Sequence, residues 1–433
     1  MKLYALISLH LLLALNCDSS HAQPHFPLRV SDDQRYLVDA QNRPFLVHGE
    51  SSWEIVWMLT KEETSEYFAK RAAQGFNATL FNILPDSHDP HTKNRAGDEP
   101  FRNPLDFTTV NDAYFEHAEW VVAEVGRFGM AAFIFPCYLG IDDSWIDELH
   151  ANGADQAAAY GKFLAERFGK YPNVVWILGG DRDPEYAKEE QLALARAIHQ
   201  HDPHHLITFH GREHSSADLF HNEAWLGFNL TYNYAETYSQ SHQDWHRIPV
   251  KPTLMGESGY EREANDWRYG TPQRMRRQLY WALLSGSCGH FYGTDFWDQK
   301  PGWRESLDWL GAHQMQIAKQ FFDALPWQTL APEFEKKLIV EGNGDYGSND
   351  DYITAAATPD LSVAVLYMPV ARHLGLDLSF YSGPVQARWF DPTTGVFQEA
   401  FQLDNKKYIQ WGKRISPPVR DCDSDWVLVL EKP

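Results

Sequence analysis

Val174-Val175-Trp176-Ile177-Leu178-Gly179-Gly180-Asp181-Arg182-Asp183-Pro184 is the stretch from which the rest of the chain can be read. Five apolar residues stop at two glycines, an acidic residue follows, and Asp183-Pro184 then opens a helical pattern with an N-cap and a proline at the first helical position. Unbroken apolar runs mark parallel strands buried on both faces, and in barrels of such strands the carboxyl ends carry the catalytic groups. The glycines let the backbone turn sharply and approach a ligand closely, which leaves Asp181 at the lip of the strand. Pro252-Thr253-Leu254-Met255-Gly256-Glu257 repeats this grammar. Asp181 and Glu257 are therefore a candidate catalytic pair. The competing reading, in which each carboxylate merely caps a following turn, weakens when two strand ends of one chain share the pattern.

Outward from these two runs, the order strand, loop, helix recurs from Arg43 to Trp297. The strands are read at Phe45–His48, Ala78–Phe81, Met130–Phe135, Val174–Leu178, Leu206–Phe209, Leu226–Leu230, Thr253–Met255 and His290–Tyr292. Thr60-Lys61-Glu62-Glu63 spells a capping box, Asp112–Phe128 and Asp155–Phe168 have helical spacing, and Thr271-Pro272 starts a helix running to Leu284. Eight alternations over about 250 residues predict an α/β fold, a (β/α)8 barrel. After a helix at Trp303–Asp323 the texture changes to short β-like runs from Leu338 to Leu430, separated by Gly, Pro, Asn and Asp. A small all-β sandwich fits that tail. The predicted division is a secretory signal over 1–22, a barrel over 23–330 and the sandwich over 331–433.

The signal is read from Met1-Lys2, the apolar run Leu3–Leu15 and the small-x-small pattern Ser20-His21-Ala22. That run is too short to span a membrane, and Asn16 before Cys17 argues against a lipid anchor, so a secreted or periplasmic protein is expected. The remaining Cys137, Cys288 and Cys422 are too few and too odd in number for a disulfide scaffold. A formal charge of −21 excludes nucleic acid and anionic membranes as natural partners, because counterion release needs clustered Lys and Arg. Aromatic residues make up 14% of the chain, enough to supply flat apolar platforms for sugar rings as well as a core. The sequence leaves the oligomeric state open.

Two carboxylates on facing strand ends of a barrel can run glycoside hydrolysis, one protonating the leaving oxygen and the other attacking the anomeric carbon. Asp181 would be the acid/base and Glu257 the nucleophile, with retention of configuration and with no metal or cofactor. The candidate substrate contacts stand at or just after strand ends: Glu50, Trp53, Asn82, Tyr138, Arg182, His210, Tyr232, Tyr260 and Trp297. Arg182 could meet a substrate carboxylate or orient Asp181, and Asp183 reads as an N-cap. His210-Gly211-Arg212-Glu213-His214 spells the H-x-x-E-H of inverted zinc peptidases, but that site needs both histidines on one helical face, and here the motif follows a strand. His199, His201, His204 and His205 read as solvated residues at a helix end. A binding module without catalysis is the other alternative; it could lose either carboxylate, and both are present.

His48-Gly-Glu-Ser-Ser-Trp53, Trp176–Asp183, Gly256-Glu257-x-x-Tyr260-Glu261 and Tyr280–Gly293 resemble the apiosidase-like family of glycoside hydrolases. The tail, with Asp351-Tyr352, Arg388-Trp-Phe-Asp-Pro392, Gly395 and Asp425–Val429, is similar to the collagen-binding-type β-domain that often follows it. The resemblance runs from about Phe26 to the end. It implies the barrel, the Asp after the fourth strand and the Glu after the seventh as catalytic pair, and a sugar of complex pectin as substrate. Three stretches depart from the family pattern: Gly49-Glu50-Ser51, His210-Gly211 and Thr231-Tyr232-Asn233-Tyr234. The last of these puts bulky aromatics where the family has glycine and histidine, which predicts a glycone other than apiose.

Overall fold

Eight parallel strands form the barrel: β1 (Val47–Ser51), β2 (Ala78–Asn82), β3 (Ala131–Phe135), β4 (Val174–Gly179), β5 (Ile207–His210), β6 (Asn229–Tyr232), β7 (Thr253–Glu257) and β8 (Ser287–Tyr292). The computed structural model describes residues 23–140, 144–263, 270–333, 337–348, 350–409, 414–418 and 424–432. The predicted signal segment with Cys17, and Cys422 in the tail, lie outside the described residues. Strand order is β5-β4-β3-β2-β1-β8-β7-β6. Across the seam between β5 and β6, Ile207 bridges Leu226, the Gly227 amide donates to Ile207 O at 2.8 Å, and the Thr208 hydroxyl donates to Phe228 O at 2.8 Å.

Side chains alternate across the barrel wall. Val175 and Ile177 of β4 point inward to Phe133, Leu230, Leu254 and Phe291, while Val174, Trp176 and Leu178 pack outward on the helical layer. Burial on both faces is why β4 is an uninterrupted apolar run. A meander of three short strands, Arg29–Val30, Leu37–Val38 and Pro44–Phe45, adds Leu37 and Phe45 to the interior at the amino ends of the strands.

The capping box at Thr60 forms as predicted, with Glu63 N–H donating to Thr60 Oγ1 at 3.2 Å and Thr60 N–H to Glu63 Oε2 at 3.0 Å. Thr271 caps the helix Pro272–Leu283, here α6 in a series whose α1 is Lys61–Ala73, α2 Asp112–Arg127, α3 Ile146–Phe168, α4 Lys188–His201 and α5 Thr237–Trp245. Several predicted boundaries move. The helix α3 begins nine residues before Asp155, because a non-helical Gly153 (φ 76°) joins two helical stretches that the periodicity separates. The strands β4, β5 and β7 run on into Gly179, His210 and Glu257, since backbone pairing continues past the last apolar residue. Asp183 does not cap a helix. A 3₁₀ turn over Glu185–Ala187 intervenes before α4, and the Asp183 carboxylate instead lies 2.7 Å from His214 Nε2 and pairs with Arg212 at 2.8 Å.

After α7 (Leu310–Asp323) the chain forms two antiparallel sheets. The larger is built around Val363–Met368, Trp426–Glu431 and Val385–Asp391; the smaller joins Ile339–Glu341, Gly375–Asp377 and Lys407–Tyr408. Ala364, Leu366, Leu428 and Leu430 face the small sheet, whereas Val365, Tyr367, Val427 and Val429 face the barrel helices. The large sheet is thus covered on both sides, which explains its continuous apolar strands.

Candidate active site

The candidate pair meets where β4 and β7 end, and glycines make both ends possible. Gly179 has φ +80°, and a Cβ there would lie 2.0 Å from His210 O, so only glycine lets β4 turn against β5 and present Asp181. On β7, Leu254 points into the barrel, so simple alternation would send Glu257 outward. A bulge between Met255 and Glu257 shifts the register and sets Glu257 opposite Tyr232 on the inward side. A Cβ at Gly256 would lie 2.5 Å from the Leu230 side chain, so the bulge needs glycine. One ligand atom each of Asp181, His210 and Glu257 lies within 4.8 Å of the others, which fixes the two carboxyl groups as close neighbours.

Hydrogen bonds distinguish the two. Tyr260 OH donates to Glu257 Oε1 at 2.7 Å and itself accepts from Trp53 Nε1 at 2.8 Å. His210 Nε2 lies 2.9 Å from Glu257 Oε2, and His210 Nδ1 lies 2.8 Å from Gly180 O. A carbonyl only accepts, so Nδ1 carries a hydrogen, and the contact with Glu257 holds one further proton shared between imidazole and carboxyl. Burial, then the nearby Asp181 charge, pushes Glu257 above the carboxylate range, while His210 and Tyr260 pull it back. Burial also raises Asp181, against His210, the Tyr138 hydroxyl and Arg182. Asp181 Oδ1 is buried and meets no hydrogen-bond partner among the described residues. By its hydrogen bonds Glu257, with two donors, favours ionisation, and Asp181, with an open oxygen, leaves room for a proton; the mutual repulsion that raises both means that the pair as a whole keeps one proton. Two such carboxyls can attack a carbon and protonate a leaving group.

The pair opens into a cavity of about 480 Å³. Trp53, Asn82, Tyr138, Tyr232, Tyr260 and Trp297 line it. Three other expected contacts stand elsewhere. Glu50 sits on the outward side of β1, 1% exposed, accepting from Tyr67 OH at 2.5 Å and Thr79 Oγ1 at 2.7 Å, with Arg71 at 3.8 Å. His210 is fully buried behind Glu257 and acts on it, away from the cavity surface. Arg182 is exposed outside the lining, and its charge lowers the Asp181 pKa.

Residues 31–329 match the family described as the apiosidase-like catalytic domain. The chain belongs to the apiosidase-like family. Residues 335–431 match a domain described as the candidate collagen-binding domain of a collagenase. Among solved structures, a glycoside hydrolase with 25% identity superimposes with a TM-score of 0.81, over 94% of this chain and 96% of that one. A family 5 glycoside hydrolase from Bacteroides vulgatus has 24% identity and a TM-score of 0.82, over 94% and 95%. No curated protein matches in sequence. The protein is a glycoside hydrolase.

The apiosidase-like cavity also contains residues that strand-end reading missed: Glu54, Trp57, Asp86, Trp145, Glu213, Tyr234 and Glu263. All lie beyond the strand ends, Trp57 in the one-turn helix Ile55–Met58, where no periodicity marks them; Tyr234 belongs to the altered loop after β6 and Glu213 to the H-x-x-E-H stretch. In the H-x-x-E-H stretch the two histidines diverge, His210 to Glu257 and His214 to Asp183, while Glu213 faces the cavity. Of the histidines expected to be solvated, His205 is buried and contacts Asp202 at 2.8 Å, and that carboxylate also accepts from Trp176 Nε1 at 2.9 Å. It is a core residue of the apiosidase-like barrel, held under β4.

Proposed function

We propose that the protein is a secreted, retaining glycoside hydrolase acting on a plant cell-wall glycan of the pectin type, with Glu257 as nucleophile and Asp181 as acid/base. The observation that carries this is the separation of the two carboxyls, whose nearest atoms lie within 4.8 Å. Retention goes with carboxyl groups about 5–5.5 Å apart, and inversion needs about 6.5–9.5 Å to admit a water. Glu257 attacks the anomeric carbon while Asp181 gives its proton to the departing glycosidic oxygen. Asp181, now ionised, takes a proton from water, which attacks the same carbon and expels Glu257. Secretion rests on the predicted signal over 1–22, and the pectin-type substrate on family membership.

The test is hydrolysis of a panel of plant-glycan oligosaccharides, followed by proton NMR of the first anomer released. Retained configuration is expected; an inverted first product would overturn the mechanism. Asp181, His210 and Glu257 could together hold a cation, so a metal-assisted route is the rival. Activity is expected to survive exhaustive chelation, and loss with rescue by zinc would favour the rival.

The pH profile of kcat/KM should be bell-shaped, with its acid limb above the ordinary carboxyl range, because both members of the pair are raised. His210 lowers the Glu257 pKa, so His210→Ala should move the acid limb to still higher pH and remove activity first at the acid end. An acid limb that stays in place or moves down would show that His210 does not control Glu257.

Tyr232 and Tyr234, 5.6 Å apart between ring centres, form one wall of the cavity, and Tyr234 OH donates to Glu263 at 3.2 Å. These rings narrow the site relative to one with glycine and histidine there. Apiose release from pectic side chains is expected to be slow or undetectable beside release of another pentose or a hexose. Equal rates would refute this reading of the loop.

A further inference from the structure

Four more carboxyl groups share the cavity with Asp181 and Glu257: Glu54, Asp86, Glu213 and Glu263. They stand on opposite sides of the pair. Glu54 and Asp86 come from the loops after β1 and β2, Glu213 and Glu263 from those after β5 and β7. Among the described residues that line the cavity there is no Lys or Arg. The strongest charges acting on these groups are other carboxylates, Asp298 and Asp86 on Glu54, Asp181 and Glu236 on Glu213, and Asp295 and Asp181 on Glu263; Lys300, outside the lining, meets Asp295 at 3.3 Å and Asp298 at 4.0 Å. Burial, followed by this repulsion, pushes Glu54 up to about 7 and raises Glu213 as well. Glu263 Oε2, like Asp181 Oδ1, is buried without a hydrogen-bond partner among the described residues.

We infer that the site takes uncharged sugars on both sides of the scissile bond and rejects uronates. This rests on the hydrolase reading above and adds the charge class of its substrate. A hexose and its uronate differ at C6, a hydroxymethyl group in one and a carboxylate in the other. Sugar hydroxyls donate to carboxylates, and hydrogen bonds to an ionised acceptor are the stronger kind, so this wall holds a neutral ring well. A carboxylated ring adds one more negative charge to a partly dehydrated cleft whose carboxyls already raise one another, so it can be held only against their repulsion or at the cost of protonating them further. The formal charge of −21 adds repulsion at longer range. The site therefore suits the neutral sugars of an acidic polysaccharide better than its uronate units.

The experiment is a calorimetric titration of Glu257→Gln protein, which binds without turnover, with matched ligands. These are oligogalacturonides against the same oligomers fully methyl-esterified, and galactose- and glucose-terminated oligosaccharides against their uronate-terminated forms. The neutral member of a pair is expected to bind at least tenfold tighter, and the double change Glu54→Gln with Glu213→Gln should narrow that gap. Added salt should narrow it too, by screening. Acid members that bind as well as neutral ones, a gap that ignores the double change, or a protein that binds no neutral member would each overturn the inference. Failure of the hydrolase reading would show separately, as absence of turnover by wild-type protein across the oligosaccharide panel.

Discussion

Glu257→Gln is expected to give a folded protein whose turnover on its best glycoside has fallen by ~10³-fold or more, the usual loss when one of two cooperating groups is removed. The amide fills the same volume and can still accept from Tyr260 OH, now 2.7 Å from Oε1, so the loop after β7 has no steric reason to move. What it cannot do is attack the anomeric carbon. Nor can it share the proton that lies between His210 Nε2 and Oε2 at 2.9 Å, so the amide must turn its nitrogen or its oxygen toward an imidazole that adapts by its own protonation. A melting temperature near wild type together with lost turnover would fit the assignment. Retention of a tenth of wild-type activity would sink it, and the nucleophile would then have to be sought among the other carboxyls of the cavity lining, Glu213 and Glu263 among them.

The barrel was legible because its strands are buried on both faces, so apolar runs such as Val174–Leu178 stand out from everything around them. Asp181 was legible for the same reason, as the first charge after such a run. Glu257 was legible by the same pattern but for an incomplete reason: alternation alone would aim it outward, and only the bulge at Gly256 brings it in. Glu50 shows the converse. It ends a strand as a site residue should, yet its parity sends it to Tyr67, Thr79 and Arg71. A strand-end carboxylate thus identifies a site only together with the register of its strand. The acidic wall lay out of reach because Glu54, Asp86, Glu213 and Glu263 sit in loops, where neither period nor propensity tells which side chain will turn toward the mouth. The resemblance carried the tail domain, but not how it is fastened. Arg276 and its partner Asp425 are 149 residues apart, a pairing that no local pattern encodes.

That fastening carries the second large effect: Asp425→Ala is expected to destabilise the protein by about 3–5 kcal/mol, the cost of leaving a buried charge without its partner. Asp425 accepts from Arg276 Nε at 3.0 Å and Nη2 at 2.5 Å, with side chains 0% and 4% exposed, and it also accepts from Tyr367 OH at 2.9 Å. Around it the two domains interlock. Tyr280 stacks on Tyr367 with ring centres 4.7 Å apart, Phe321 meets Phe390 at 4.6 Å, and Trp281 Nε1 donates to Tyr352 O at 2.7 Å. The neighbouring pair Arg277–Asp350, at 2.9 Å, is the internal control, because Asp350 is 81% exposed. Asp350→Ala should cost at most about 1 kcal/mol, as exposed pairs do. Below both melting transitions the two variants should hydrolyse a small glycoside at the wild-type rate, since every described residue lining the cavity comes from the barrel. Urea titrations of the three proteins, read beside their kcat, check both claims. An Asp425→Ala variant as stable as Asp350→Ala would mean the ion pair is not what joins tail to barrel, and one that is folded but inactive would mean the tail domain acts on the chemistry after all.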